Sequence, residues 1–121
     1  MNIRRVVPDI STNRMEETRE FYTGLLGFNV AMDMGWIITL VSPSNPTAQI
    51  NVVRRDEPLP SGASGPFEGL SIEVESVDEM HARAVERGVK ITSPLTDEPW
   101  GVRRFFVLDP NGVTLNLLSH K

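Results

Sequence analysis

The chain contains no cysteine, and histidine is nearly as scarce, with only His81 and His120 among 121 residues. Disulfides, thiolate zinc sites and a cysteine nucleophile are therefore excluded. Two histidines are also too few for a histidine-rich metal centre. No apolar run approaches the roughly 20 residues of a membrane-spanning helix. The opening MNIRRVVPDI lacks the apolar stretch of a secretion signal. A basic excess is missing too: 12 basic residues stand against 16 acidic ones, net −4, so there is no electrostatic footprint for nucleic acid. Also missing are a GxSxG elbow, a phosphate-cradling glycine loop and paired carboxylates at short spacing. These absences lead to the expectation of a cytoplasmic protein with no nucleic-acid and no membrane partner.

What remains is ordinary globular material. An apolar fraction of 40% with 23% charged residues fits one soluble domain with a real core. Along the chain, residues 3–10 read as a short strand, with Pro8 tolerable only at its edge or end. Asn13 and Glu16 form a capping-box-like start. Met15, Thr18, Tyr22 and Leu25 then make a helical stripe that Gly27 ends. Three strands are expected over 28–33, 35–42 and 47–54. The segment from about 55 to 67, with Pro58, Pro60, Gly62, Gly65 and Pro66, reads as a linker.

Beyond it the order begins again. Leu70, Ile72 and Val74 alternate with Ser71, Glu73 and Glu75, as in a half-buried strand. The box Ser76-Val-Asp-Glu79 opens a helix with Val77, Met80, Ala84 and Val85 on one face, and Gly88 closes it. Strands fit 89–92, 103–108 and 113–118, with Asp109-Pro-Asn-Gly112 turning between the last two. The two halves also echo each other residue by residue. LLGF (25–28) matches ERGV (86–89), TLVSP (39–43) matches FVLDP (106–110), and QINVV (49–53) matches TLNLL (114–118). Asn51 thereby falls opposite Asn116. This is the signature of duplication, in which one unit cannot bury its sheet alone.

REFYTGLLGF (19–28), the paired units and PWGVRRFFVLDPNGVTLNLL (99–118) together resemble the vicinal oxygen chelate superfamily. That superfamily includes glyoxalase I, extradiol dioxygenases, fosfomycin resistance enzymes and bleomycin resistance proteins. The resemblance spans essentially the whole chain. It implies an α+β fold, two βαβββ units forming an open eight-stranded half-barrel pair, with unit one at about 1–57 and unit two at about 68–121.

Catalytic members hold a divalent metal with four side chains, two per unit, in the first and last strands. Carried over, those positions are Val7, Asn51, Gly69 (Leu70 if the register slips by one) and Asn116. Valine and glycine offer no donor atom, and asparagine binds hard cations weakly unless carboxylates stand beside it. The expectation is a degenerate metal site and no cofactor.

Strand alternation assigns further residues to the face shared with those positions. Arg5 and Asp9 go with Val7, Val53 with Asn51, Ser71 and Glu73 with Gly69, and Leu118 with Asn116. The long strands contribute either Trp36, Ile38 and Leu40 or their neighbours, and either Phe105 and Val107 or theirs. Trp36 and Trp100 read as stacking walls of a ligand pocket, or alternatively as caps on the sheet ends or a dimer interface. Asn51 and Asn116 read as polar anchors, or alternatively as side chains that satisfy one another or water at the old metal location, and Glu73 as a partner for a cationic group or an exposed edge charge. Arg103 and Arg104 must split between faces, while His81 is expected in solvent and His120 without a role.

The ligand-binding set is thus Trp36, Asn51, Val53, Glu73, Trp100, Phe105 and Asn116, with no catalytic residue. The resemblance is greatest to the metal-free bleomycin-resistance type, which implies a homodimer that sequesters a small molecule. The alternatives are a lyase, isomerase or dioxygenase of the same superfamily, or a scaffold that lost its pocket.

Overall fold

Both β-rich stretches of the chain place apolar residues at every second position, and both bury that face under a single helix. The computed structural model describes residues 2–55 and 69–121, so the expected linker lies outside the described residues except for Arg55. The chain divides into two units, and each holds one four-stranded sheet.

In unit one, β1 (Asp9–Thr12) leads through α1 (Met15–Glu20) and a π-helical turn (Phe21–Leu25) to β2 (Asn29–Asp33), β3 (Ile37–Ser42) and β4 (Asn45–Arg54). The strand order is β1-β4-β3-β2, with β1 parallel to β4 and the remaining pairs antiparallel. Unit two repeats the plan with β5 (Gly69–Glu73), α2 (Val77–Glu86), β6 (Ile91–Asp97), β7 (Val102–Leu108) and β8 (Thr114–His120). Its order is β5-β8-β7-β6, again with one parallel pair, β5 with β8. The α+β fold of paired βαβββ units is therefore present, and neither sheet closes into a barrel.

The core of unit one gathers Ile10, Tyr22, Leu25, Ile38, Leu40, Ile50 and Val52 under the helix. That of unit two gathers Val77, Met80, Ala84, Phe105, Val107, Leu115 and Leu117. Each large apolar side chain among them contributes about 1.5–3 kcal/mol when taken from water. The expected helix ends are found: Gly27 (φ 78°) and Gly88 (φ 68°) both adopt the left-handed conformation that a side chain would strain. Asp109 is buried in the β7–β8 turn and accepts the backbone N–H groups of Asn111 (2.8 Å) and Val113 (2.9 Å).

Three local expectations need correction. The first strand starts at Asp9 and not at residue 3, because Pro8 has no N–H for a ladder and offers only its carbonyl, to Asn51 N (2.9 Å). Asn13 does not cap α1. The helix begins after Arg14 without a side-chain capping bond, and Thr12 Oγ1 takes the Arg14 N–H (2.8 Å). His81 is not in solvent: it is half-buried, with its ring 5.0 Å from that of Phe105 in an edge-on contact. Val77, Met80, His81 and Ala84 fall at i, i+3, i+4 and i+7, one continuous helical stripe.

Candidate functional site

The face of each sheet turned away from its helix carries the residues left over by core packing. In unit one these are Asp9 and Ser11 on β1, Gln49, Asn51 and Val53 on β4, and Ile37, Thr39 and Val41 on β3. Asn51 stands opposite Asp9 on one side and Thr39 on the other. Its amide bonds at both ends: Nδ2 donates to Asp9 Oδ1 (2.9 Å), and Oδ1 accepts from Thr39 Oγ1 (2.7 Å). Arg5 donates to Gln49 Oε1 on the same face.

Beside Thr39 and Asn51 of this triad lies a cavity of about 360 Å³. Val7, Ala31, Met32 and Ile37 give it apolar walls, and Arg5, Thr39, Gln49 and Asn51 supply polar groups. A second cavity of about 420 Å³ opens beside the start of α1, lined by Asn13, Met15, Glu16, Arg54 and Arg55. It contains none of the ligand-binding residues expected from sequence.

Unit two presents the same register with different chemistry. Asn116 stands opposite Ser71 on β5 and Phe106 on β7. Its Nδ2 donates to Ser71 Oγ (3.2 Å). Along the same face, Glu73 meets His120 Nδ1 (2.7 Å), and Arg104 lies with its guanidinium 4.5 Å from the centre of the Phe106 ring. Arg104 also donates to Ser93 Oγ (2.6 Å) and to Glu98 Oε1 (2.7 Å). With side-chain exposures of 16% and 14%, Arg104–Glu98 is the most buried ion pair among the described residues. Arg103 points the other way, to Asp78 of α2 and Asp97, so the two arginines split between faces as strand parity requires.

Phe105 is corrected by the same parity. It is fully buried beneath α2, and its neighbour Phe106 occupies the open face. Ile38, Leu40 and Val107 are likewise core residues, leaving Ile37, Thr39, Val41 and Leu108 on the open side. Trp36 and Trp100 sit at the equivalent hairpin ends, 56% and 71% exposed, and Trp36 does not line the unit-one cavity. Each follows a pinned aspartate. Asp33 is held below the usual carboxylate range by the Gly35 backbone N–H and then by Arg19, and Asp97 by Arg103 and then Lys121. Val53 is half-buried on the Asn51 face, and Glu73 is exposed.

The four positions that would hold a divalent ion do not fit one. Val7 and Gly69 carry no donor atom. The Asn51 amide is neutral and already bonded to Asp9 and Thr39, and the Asn116 amide offers a single neutral oxygen. Among the described residues no three histidine, aspartate or glutamate side chains gather as a metal cluster.

Thr39, Gln49 and Phe106 were not singled out from sequence. The signal for two of them lay in the repeat, since aligning TLVSP with FVLDP sets Thr39 against Phe106.

Two βαβββ units, each with its first strand parallel to its last, are the arrangement of the glyoxalase type of paired-repeat protein. The chain belongs to the Glyoxalase/Bleomycin resistance protein/Dioxygenase superfamily, whose family model matches residues 3–117. Solved structures agree. A superfamily member from Sphaerobacter thermophilus DSM 20745 is similar at 26% identity and TM-score 0.81, with 99% of each chain covered. TioX from Micromonospora sp. ML1 is similar at 22% identity and TM-score 0.79, covering 97% of this chain and 98% of that one. A glyoxalase/bleomycin resistance protein/dioxygenase from Nocardioides follows at 21% identity and TM-score 0.71, covering 99% and 85%. No curated protein matches the chain significantly.

Proposed function

We propose that the chain is a small-molecule binding protein that sequesters a drug-like or natural-product ligand without a metal. The cavity of about 360 Å³ on the open face of unit one is the observation that carries this reading. Its volume lies within the roughly 300–1,000 Å³ of small-molecule sites, and its mix of apolar walls with a few fixed polar groups suits such a site. Asn51, locked between Asp9 and Thr39, presents a rigid polar floor at no further ordering cost. The family name includes bleomycin resistance proteins, and a binding role is the sense of the family that the donor-poor positions favour over its metal-dependent enzymes.

Two measurements test the proposal. Metal analysis after dialysis should find only substoichiometric divalent ion. A thermal-shift screen of aromatic and cationic natural products, bleomycin included, should raise the melting temperature with at least one compound. A ligand present at about a hundred times its Kd would add about 2.7 kcal/mol of stability. A stoichiometric bound metal would overturn the reading in favour of a lyase, isomerase or dioxygenase. A screen with no stabilising compound would favour a scaffold that has lost its pocket.

A further inference from the structure

The open face of unit two contains a buried acceptor with nothing to accept. Asn116 donates through Nδ2 to Ser71 Oγ, yet its Oδ1 is buried and has no hydrogen-bond partner among the described residues. Native proteins keep few such atoms, because each forgoes the hydrogen bond that water would give it. The sister unit shows what completes the arrangement. There the matching Asn51 Oδ1 takes a hydrogen bond from Thr39, the residue across the ladder. In unit two the residue across the ladder is Phe106, which has no hydroxyl to give.

We infer that Asn116 Oδ1 is the acceptor for an uncharged N–H donor, an amide or ring N–H, carried on an aromatic or otherwise apolar ligand. The inference rests on the small-molecule reading above and names the class of group that reading leaves open. The donor is uncharged because the residues flanking Asn116, Ser71 and Phe106, carry no charge, and the Arg104 guanidinium over the Phe106 ring would repel a cation brought there. The apolar carrier follows from the flanking residues, Phe106 across the ladder and Leu118 two residues along β8. The half-buried Phe106 ring stands where the Thr39 hydroxyl stands in unit one.

Two arms test the inference. In the free protein, N116L should melt at or above the wild-type temperature, because leucine removes an unpaired carbonyl. F106T gives the carbonyl the donor that unit one uses, at the cost of the burial of the Phe106 ring and its contact with Arg104, so it is read in the second arm alone. If N116L lowers the melting temperature clearly more than S71A, which removes only the bond to Ser71, the carbonyl already has a partner in the free protein. The inference then falls while the binding reading stands.

In the second arm, 2-naphthamide, N,N-dimethyl-2-naphthamide and 2-naphthoate are titrated into ¹⁵N-labelled protein and followed by NMR. The primary amide should bind about tenfold more tightly than the other two, the ratio that one hydrogen bond to a buried acceptor gives. That preference should vanish in N116L and in F106T. Equal affinities for the three probes overturn the donor preference but leave a binding site. No binding by any of them overturns the inference, and the broader screen then decides the binding reading separately.

Discussion

Asn51 and Asn116 hold matching positions in the two units, yet their side chains do opposite things for the fold. Asn51 bridges two strands through both ends of its amide, to Asp9 on β1 and to Thr39 on β3. Replacing it with leucine strands a carboxylate and a hydroxyl together. N51L should therefore lose about 1–2 kcal/mol in urea denaturation, whereas its counterpart in unit two should lose nothing. A loss at both sites, or at neither, would show that the asymmetry between the faces is not energetic. This pair was legible in sequence because the repeat aligned QINVV with TLNLL. Its partners were not, because IITLV and RFFVL do not alternate cleanly between apolar and polar. Without alternation, a strand does not announce which side is buried. For the same reason the sequence does not show that Phe105 is buried under α2 while Phe106 lies on the open face.

At the scale of elements, the two helix starts look alike in sequence and behave differently. Ser76 caps α2, its Oγ accepting the Glu79 N–H (3.2 Å). Asn13 makes no such bond, since the buried Thr12 hydroxyl takes the neighbouring Arg14 N–H instead. Ser76→Ala should thus cost about 1 kcal/mol, and Asn13→Ala should fall within about 0.5 kcal/mol of wild type, both read from chemical denaturation. Equal costs would mean that the motif alone decides. His81 follows a similar logic. A helical stripe draws in every residue within its arc, and a polar side chain at i+4 packs there when an aromatic edge meets it. Element order, the glycine stops and the Asp109 turn were all readable, because each depends on a few neighbouring residues. The strand faces and the burial of His81 were not, because the partners that decide them come from elsewhere in the chain.

For the whole molecule, exposed apolar side chains matter most. Met32, Met34 and Trp36 in unit one and Trp100 in unit two are all exposed, more apolar surface than isolated side chains need leave in water. We expect a homodimer at micromolar concentration in sedimentation velocity, and Trp36→Lys with Trp100→Lys should shift it toward monomer. A wild-type chain that sediments as a monomer would contradict this. Among the described residues no helix is long and apolar enough to cross a membrane.

The parallel pairing of each unit's first strand with its last has a consequence for the order of folding. β1 leaves the ribosome first, but Asp9 meets Asn51 only 42 residues later in the chain. Until β4 has been made, Ile10 and Thr12 have no neighbour in the sheet, while β2 and β3 can already zip together as a local hairpin. Synthesis proceeds at roughly 5–20 residues per second, so β1 waits seconds for its place. The second unit imposes the same wait on β5. The earliest strand of each half is therefore among the last to be used, and Ile10 of β1, like Leu70 and Ile72 of β5, stays without its sheet neighbour until the end of its unit has been made.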